Sequence, residues 1–307
     1  FRDIMFDCVL CPRACHVNRL AGQTGYCGQT AELMAARASL HYWEEPCISG
    51  TSGSGTVFFS GCNLRCVFCQ NHNIALGKAG RVIAPEHLAE IFLQLQEQGA
   101  NNINLVTPTH FLPQIVIALE QAKQQGLHLP IVYNTGSYEN VDTIKALEGI
   151  VDIYLPDLKY FSPELSTAYS HAPDYFETAC AAISEMYRQV GDSVIDEDTG
   201  LMQHGMIVRH LLLPGQTKDS KKILRYLHET YGDHIYISIM NQYTPLPQCR
   251  EYPELSRRVT EAEYDAVVDY AIELGIENGF IQEGDVAEES FIPEFDGEGI
   301  VRKDVDR

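Results

Sequence analysis

The stretch Gly61-Cys62-Asn63-Leu64-Arg65-Cys66-Val67-Phe68-Cys69-Gln70-Asn71 spaces three cysteines as C-x3-C-x2-C. It follows a short apolar run, Thr56-Val57-Phe58-Phe59-Ser60, that reads as a buried strand. Three thiols on a loop leaving a strand suit a metal cluster better than a disulfide framework. Electron-transfer 4Fe–4S clusters are held by four cysteines. A set of three leaves one iron open, and an open coordination site is where a metal acts on a bound molecule. Phe68 sets an aromatic face beside that iron.

The pattern C-x3-C-x-aromatic-C resembles the signature of the radical S-adenosylmethionine (SAM) enzymes. The longer context, from Gly53-Ser54-Gly55 through Asn71, resembles their pyruvate formate-lyase activating enzyme-like (PflX-like) subgroup. The resemblance implies that the open iron chelates the amino and carboxylate groups of SAM. One electron from the cluster then cleaves SAM to methionine and a 5′-deoxyadenosyl radical, which takes a hydrogen atom from substrate. A zinc knuckle or a redox-inert cluster would explain the cysteines, but not the strand, aromatic and glycines around them.

Composition narrows the class. A chain of 307 residues with 45% apolar content can bury a sizeable core, as one large domain or one plus an appendage. No apolar run approaches the roughly 18 residues of a membrane span. The start, Phe1-Arg2-Asp3-Ile4, does not look like a signal peptide. Ten cysteines without one point to a reducing cytosol, so a cytoplasmic protein is expected. The net charge of −20 argues against nucleic acid. Residues 1–81 nonetheless carry a net +2 and the remainder −22. An acidic flavodoxin or ferredoxin is therefore expected to dock near Arg13, Arg19, Arg65, Lys78 and Arg81.

Residues 1–50 form a Cys-rich segment of their own. Cys8, Cys11, Cys15 and Cys27 fall at C-x2-C-x3-C-x11-C among turn-forming glycines and Pro12. So little apolar sequence needs a metal to fold, either a second iron–sulfur cluster or zinc. From residue 56, strands are expected at 56–60, 102–107, 130–135, 151–155, 206–213 and 234–240, with a short seventh at 276–281. Helices are expected at 85–98, 113–125, 141–147, 174–189, 220–231 and 260–274, the last opened by a Thr260–Glu263 capping box. Near-continuous apolar strands alternating with amphipathic helices argue for an α/β fold with a parallel sheet, doubly wound or an open barrel. The resemblance selects the partial (β/α)6 TIM-like barrel of radical SAM enzymes over residues 51–285, with 286–307 a C-terminal tail packing on or near it.

Ligands of parallel α/β folds sit at the carboxyl ends of strands. The second strand ends in Thr107-Pro108-Thr109-His110, where many radical SAM enzymes carry a glycine-rich motif that this chain lacks. The third ends in Tyr133-Asn134-Thr135-Gly136. The fourth ends in Asp157-Leu158-Lys159, resembling the Asp-x-Lys of glycyl-radical activases, which implies Lys159 reaching SAM and Asp157 near a cation site. The fifth carries Arg209 and His210 within an apolar run. Charges beside buried strands are costly unless compensated, and a zwitterionic ligand would compensate them. Phe68, Thr107, Thr109, Asn134, Thr135, Asp157, Lys159 and Arg209 are thus the expected SAM contacts, with His72 and His110 as weaker candidates.

Three reactions fit. The first takes a hydrogen atom from an amino-acid α-carbon, in a free amino acid or peptide, with possible epimerisation. The second makes a glycyl radical on a partner protein. The third, a non-catalytic iron–sulfur or metal-binding module, has no use for a missing fourth ligand. Epimerisation needs a hydrogen donor, usually a thiol. Of Cys47, Cys180 and Cys249, Cys249 lies in the loop 243–252 after the sixth strand and is the expected donor. The acidic run Glu283-Gly284-Asp285-Val286-Ala287-Glu288-Glu289 suggests a basic substrate.

Overall fold

The computed structural model describes residues 3–282 and 293–301. Strand β1 (Met34–His41) is followed by the short helix α1 (Pro46–Ser49) and by β2 (Ser54–Phe59), which pairs antiparallel with β1. After helix α2 (His72–Ala75), strand β3 (Arg81–Val82) pairs with β1. Strand and helix then alternate through α3 (Pro85–Glu97), β4 (Ile103–Val106), α4 (Leu112–Gln124), β5 (Ile131–Thr135), α5 (Val141–Lys145) and β6 (Ile153–Pro156). Helices α6 (Pro163–Ser170) and α7 (Tyr175–Val190) and the short strand β7 (Val194–Ile195) lead to β8 (Met202–Leu211). Helix α8 (Thr217–Tyr231), β9 (Tyr236–Met240), α9 (Glu261–Leu274) and β10 (Gly279–Ile281) follow.

The sheet runs β10-β9-β8-β6-β5-β4-β2-β1-β3; along this order every pairing from β2 to β10 is parallel, while β7 pairs antiparallel with β8 beside it. Each parallel strand lies beside its predecessor, and the order never reverses. A doubly wound sheet reverses at a switch point, whereas a barrel does not. The architecture is therefore the expected open barrel, with seven parallel strands and the short one at 279–281 as the last.

Period-2 and period-3.6 burial build these layers. Along β5 and β6, Tyr133 and Tyr154 join the core under the helices, while Val132, Ile153 and Leu155 belong to a separate inner cluster. Helix α3 starts at Pro85 and buries Leu88, Ala89, Ile91, Phe92 and Leu95 at three- and four-residue spacing. Fully burying one such large side chain stabilises by about 2 kcal/mol. Helix α9 has the expected capping box, Thr260 with Glu263, and closes on Gly275 at φ +81°.

Residues 34–49 depart most from expectation. They lie within the segment set apart by its cysteines, yet β1 extends the barrel sheet and Cys47 and Ile48 pack in the inner cluster with Val132, Ile153, Leu155 and Ile207. The chain thus folds back to fill the barrel from inside. Helix α6 and strand β7 are also absent from the sequence reading, β7 because its stretch is polar. Of the C-terminal tail, Gly297 and Ala38 donate backbone hydrogen bonds to the carbonyls of Ala36 and Glu298, at 3.1 and 2.9 Å, and Phe295 meets Phe58 edge-on at 5.4 Å. No helix among the described residues is long and apolar enough to cross a membrane.

Candidate active site

Strand β2 delivers the three-cysteine loop to the carboxyl end of the barrel. The turn needs Gly61: its φ is +89°, and a Cβ there would lie 2.5 Å from Gln29 Cγ and 2.9 Å from the Cys27 carbonyl. Leu64 N–H donates to Cys62 Sγ at 3.3 Å. Ser170 Oγ donates to Cys66 Sγ at 2.9 Å and is itself bonded to Tyr160 OH at 2.7 Å. Burial pushes the Cys62 and Cys69 thiols up, with the neighbouring Cys66 adding to the effect. Such thiols ionise when a metal takes the proton's place. Phe68 is held edge-on among Tyr160, Tyr169 and Tyr243, with centroids 6.1–6.3 Å away.

One cavity of about 270 Å³ gathers these cysteines and Phe68 with Thr107, Thr109, Asn134, Thr135, Asp157, Lys159 and Arg209. Its charges form a chain. Lys159 Nζ meets Asp157 Oδ2 at 2.5 Å, and Arg209 Nε meets Asp157 Oδ1 at 3.0 Å. Arg209 also donates to Asn134 Oδ1 at 2.5 Å and to Glu44 Oε2 at 3.0 Å. Burial acts to raise the Asp157 carboxyl, but Lys159 and Arg209 together outweigh it and hold it below its ordinary value. Asp157 raises Lys159 against the opposing effect of burial. Asp157, Lys159 and Arg209 thus stay ionised. Thr107 closes β4 at φ +55°, a conformation costly for a β-branched residue and free for glycine.

Glu44 is the residue the sequence reading missed. It receives Arg209 and the side-chain amides of Asn104 at 3.1 Å and Asn134 at 3.4 Å. His41 and Trp43 of the same stretch also line the cavity. The signal available was a pair of acids, Glu44 and Glu45, in an otherwise basic segment. Thr109 and Thr135 turn their hydroxyls to a buried carboxylate, Glu139, at 2.7 and 2.5 Å. Burial pushes Glu139 up to about 7.

Several expectations do not reach the cavity. Cys249, the expected hydrogen donor, is fully buried, its Sγ 3.6 Å from the Val67 carbonyl, because the 3-10 turn Pro247–Glu251 rotates the thiol inward. Cys47 lies in the inner cluster and Cys180 against the core on α7. His110 is buried beneath the site, donating to or accepting no side chain, with Nε2 on the Ser60 carbonyl at 2.6 Å; burial lowers it to about 3. His72 does not line the cavity. Arg19, expected at a docking surface, is only 1% exposed and cannot meet a partner. Cys8, Cys11, Cys15 and Cys27 line a second, smaller cavity. The acidic stretch Glu283, Asp285, Glu288 and Glu289 lies outside the described residues.

Residues 56–227, more than half of the chain, match the family model of the radical SAM superfamily. The uncharacterized protein MJ0674 of Methanocaldococcus jannaschii is 28% identical over 280 residues, which cover 88% of this chain and 75% of that protein. Among solved structures, a radical SAM methyltransferase from Sphaerobacter thermophilus is similar at 17% identity and TM-score 0.49, over 75% of this chain and 66% of that one. SuiB of Streptococcus suis, bound to the precursor peptide SuiA, is similar at 14% identity and TM-score 0.48, over 72% and 46%. The chain therefore spans about two thirds of the first of these structures and less than half of the second.

Proposed function

The chain belongs to the radical SAM superfamily, and we propose that it removes a hydrogen atom from an amino-acid α-carbon without returning one from a thiol of its own. Superfamily membership implies a 4Fe–4S cluster and SAM, which when bound supply one-electron-driven hydrogen abstraction. The residues present suit that pair: three partly buried thiols and a chain of two cations and two carboxylates line one cavity. Cys62, Cys66 and Cys69 would hold the cluster. Lys159 and Arg209 are placed to take a carboxylate, and Asp157 and Glu44 an amino group, by exchanging partners they already hold. Phe68 and its tyrosines keep water from the thiols. Asn134 and Thr135 fix the strand end from which Arg209 and Glu139 are held.

The observation that carries the reading is the contents of the cavity. All ten cysteines are described, and only Cys62, Cys66 and Cys69 line it. Epimerisation through Cys249 is thus without support. A reaction that leaves the radical on its target, as the PflX-like resemblance suggests for a glycyl residue of a partner protein, needs no donor. The same holds for a free amino acid or a peptide whose radical meets no enzyme thiol.

The test is anaerobic turnover with SAM, reductant and α-deuterated glycine peptides or amino acids. Deuterium should appear in 5′-deoxyadenosine, with no solvent hydrogen returned to the substrate carbon. Replacing Cys62, Cys66 and Cys69 with Ala should abolish it. Deuterium transfer from a side-chain position alone would refute α-carbon abstraction, and inverted product carrying a hydrogen from Cys249 would refute the absence of a donor.

A further inference from the structure

A second set of thiols lies against the outer side of the cluster loop, upstream of the region the superfamily match covers. Cys8, Cys11, Cys15 and Cys27 line a small enclosed cavity whose wall includes Arg19, Asn63 and Thr109. Asn63 and Thr109 also line the larger cavity containing Cys62, Cys66 and Cys69. One layer of side chains therefore separates the two sets.

The small cavity is built for an anionic centre. The Arg19 guanidinium is buried, bonds the carbonyls of His110 and Thr30 at 2.6 Å each, and leaves its Nε unpartnered. No carboxylate pairs with it among the described residues. A buried cation without a counter-charge is costly. Arg13, only partly buried, is likewise bonded to carbonyls, those of Asn63, Ser170 and His171, and lies over the Tyr26 ring at 4.0 Å. Four thiolates on a metal centre supply the missing negative charge.

The backbone around Cys15 supports the same conclusion. A Cβ on Gly25 would lie 2.6 Å from Cys15 Sγ, so glycine alone allows the chain past that sulfur. Tyr26 N–H donates to Cys15 Sγ at 3.2 Å, the kind of bond that orients a ligating sulfur. Ala14 and His16, on either side of Cys15, hold φ values of +39° and +55° that side chains rarely adopt. Tyr26 then reaches across, its OH donating to the Leu64 carbonyl at 3.2 Å, between Cys62 and Cys66.

We propose that Cys8, Cys11, Cys15 and Cys27 hold a second iron–sulfur cluster that relays electrons to the cluster at Cys62, Cys66 and Cys69; the relay rests on the reading of that site given above. The spacing C-x2-C-x3-C-x11-C is not the paired C-x2-C of a zinc ribbon and is nearer to the loops that hold iron–sulfur clusters. In each relay step a low-potential donor gives one electron to the N-terminal cluster. That cluster passes one electron on and returns to its oxidised state, with no bond made and no proton moved.

Iron, sulfide, zinc and electron paramagnetic resonance decide the matter on anaerobically reconstituted full-length protein. The Cys62→Ala, Cys66→Ala, Cys69→Ala triple variant should retain about four irons and a dithionite-reducible signal that SAM does not change. Loss of all iron, or about one zinc in its place, overturns the proposal. Wild-type protein keeps the test independent of variant folding: it should show two spin systems, only one of them perturbed by SAM, and a single system overturns the proposal. In Cys11→Ala, Cys15→Ala, reduction of the remaining cluster by reduced flavodoxin should slow by about an order of magnitude while dithionite reduction does not. Unchanged flavodoxin kinetics overturn the relay. None of these readouts depends on which hydrogen atom the enzyme abstracts, so label transfer to 5′-deoxyadenosine fails or succeeds separately.

Discussion

Arg209→Met tests whether the charge chain is structural. The substitution keeps the bulk of the stem but removes the cation that Glu44 meets at 3.0 Å. Asp157 keeps Lys159 at 2.5 Å, so its charge stays compensated. Glu44, 10% exposed, keeps only two amide donors, from Asn104 and Asn134. Removing one partner of a buried pair costs about 3–5 kcal/mol, and the amides remaining on Glu44 place this case near the lower end, about 3 kcal/mol. Glu44→Gln alone leaves Arg209 bonded to Asp157 and should cost about 1–2 kcal/mol. The double variant leaves no unpaired charge and should cost no more than about 2 kcal/mol, a coupling of about 2 kcal/mol. Urea unfolding of the four proteins at pH 7 measures that cycle. Additive losses within about 0.5 kcal/mol would show that Glu44 does not hold Arg209, and the account of the cavity's inner wall would fail.

Glu139 gives a pH signature. Its folded carboxyl titrates at about 7 against an ordinary value of 4.5, so between these values the folded chain keeps a proton that the unfolded chain has lost. Stability should therefore fall as pH rises through that window, by about 3 kcal/mol in all, and Glu139→Gln should flatten the curve; an unchanged slope in thermal unfolding would show that another group titrates. Ser170→Ala removes the hydroxyl that donates to Cys66 Sγ. Hydrogen bonds to ligating sulfur stabilise the reduced, more negative cluster, so the variant's midpoint potential should fall, and a spectroelectrochemical titration showing a rise would contradict the assignment. Thr107→Gly relieves a left-handed conformation at φ +55° and should gain about 1 kcal/mol in denaturant unfolding, where a loss would mean that the threonine side chain supports the strand end more than the backbone strains it.

The parallel strands were legible because they are buried on both faces, which leaves continuous apolar runs such as Ile103–Val106 and Ile153–Pro156. The strand-end set was legible for a related reason: Asp157, Lys159 and Arg209 stand out as charges against those runs. Strand β1 was not, because Met34-Ala35-Ala36-Arg37-Ala38 lacks β-branched residues and gains its strand geometry from pairing with β2. Glu44 was hidden for the same long-range reason. Its neighbours Tyr42, Trp43 and Glu45 show no strand or helix periodicity, and only the fold shows that the stretch reaches the cavity. Cys249 shows the limit from the other side. Its loop was placed at the correct end of the barrel, but the direction of one side chain in a 3-10 turn depends on packing that no local pattern records.

The superfamily match begins at residue 56, yet His41, Trp43 and Glu44 line the cavity. The matched region contains the cluster loop and, on the reading proposed above, the SAM-holding Asp157, Lys159 and Arg209. The upstream stretch supplies a carboxylate at the inner end of the charge chain and an indole and an imidazole on the wall. His41 and Trp43 line the cavity outside the groups assigned to cluster and SAM, and we propose that discrimination between target molecules draws on them. Trp43→Ala should accordingly leave uncoupled SAM cleavage by the reduced enzyme near the wild-type rate and raise KM for the target. Equal loss of both would mean that residues 41–45 hold the barrel together rather than read what enters it.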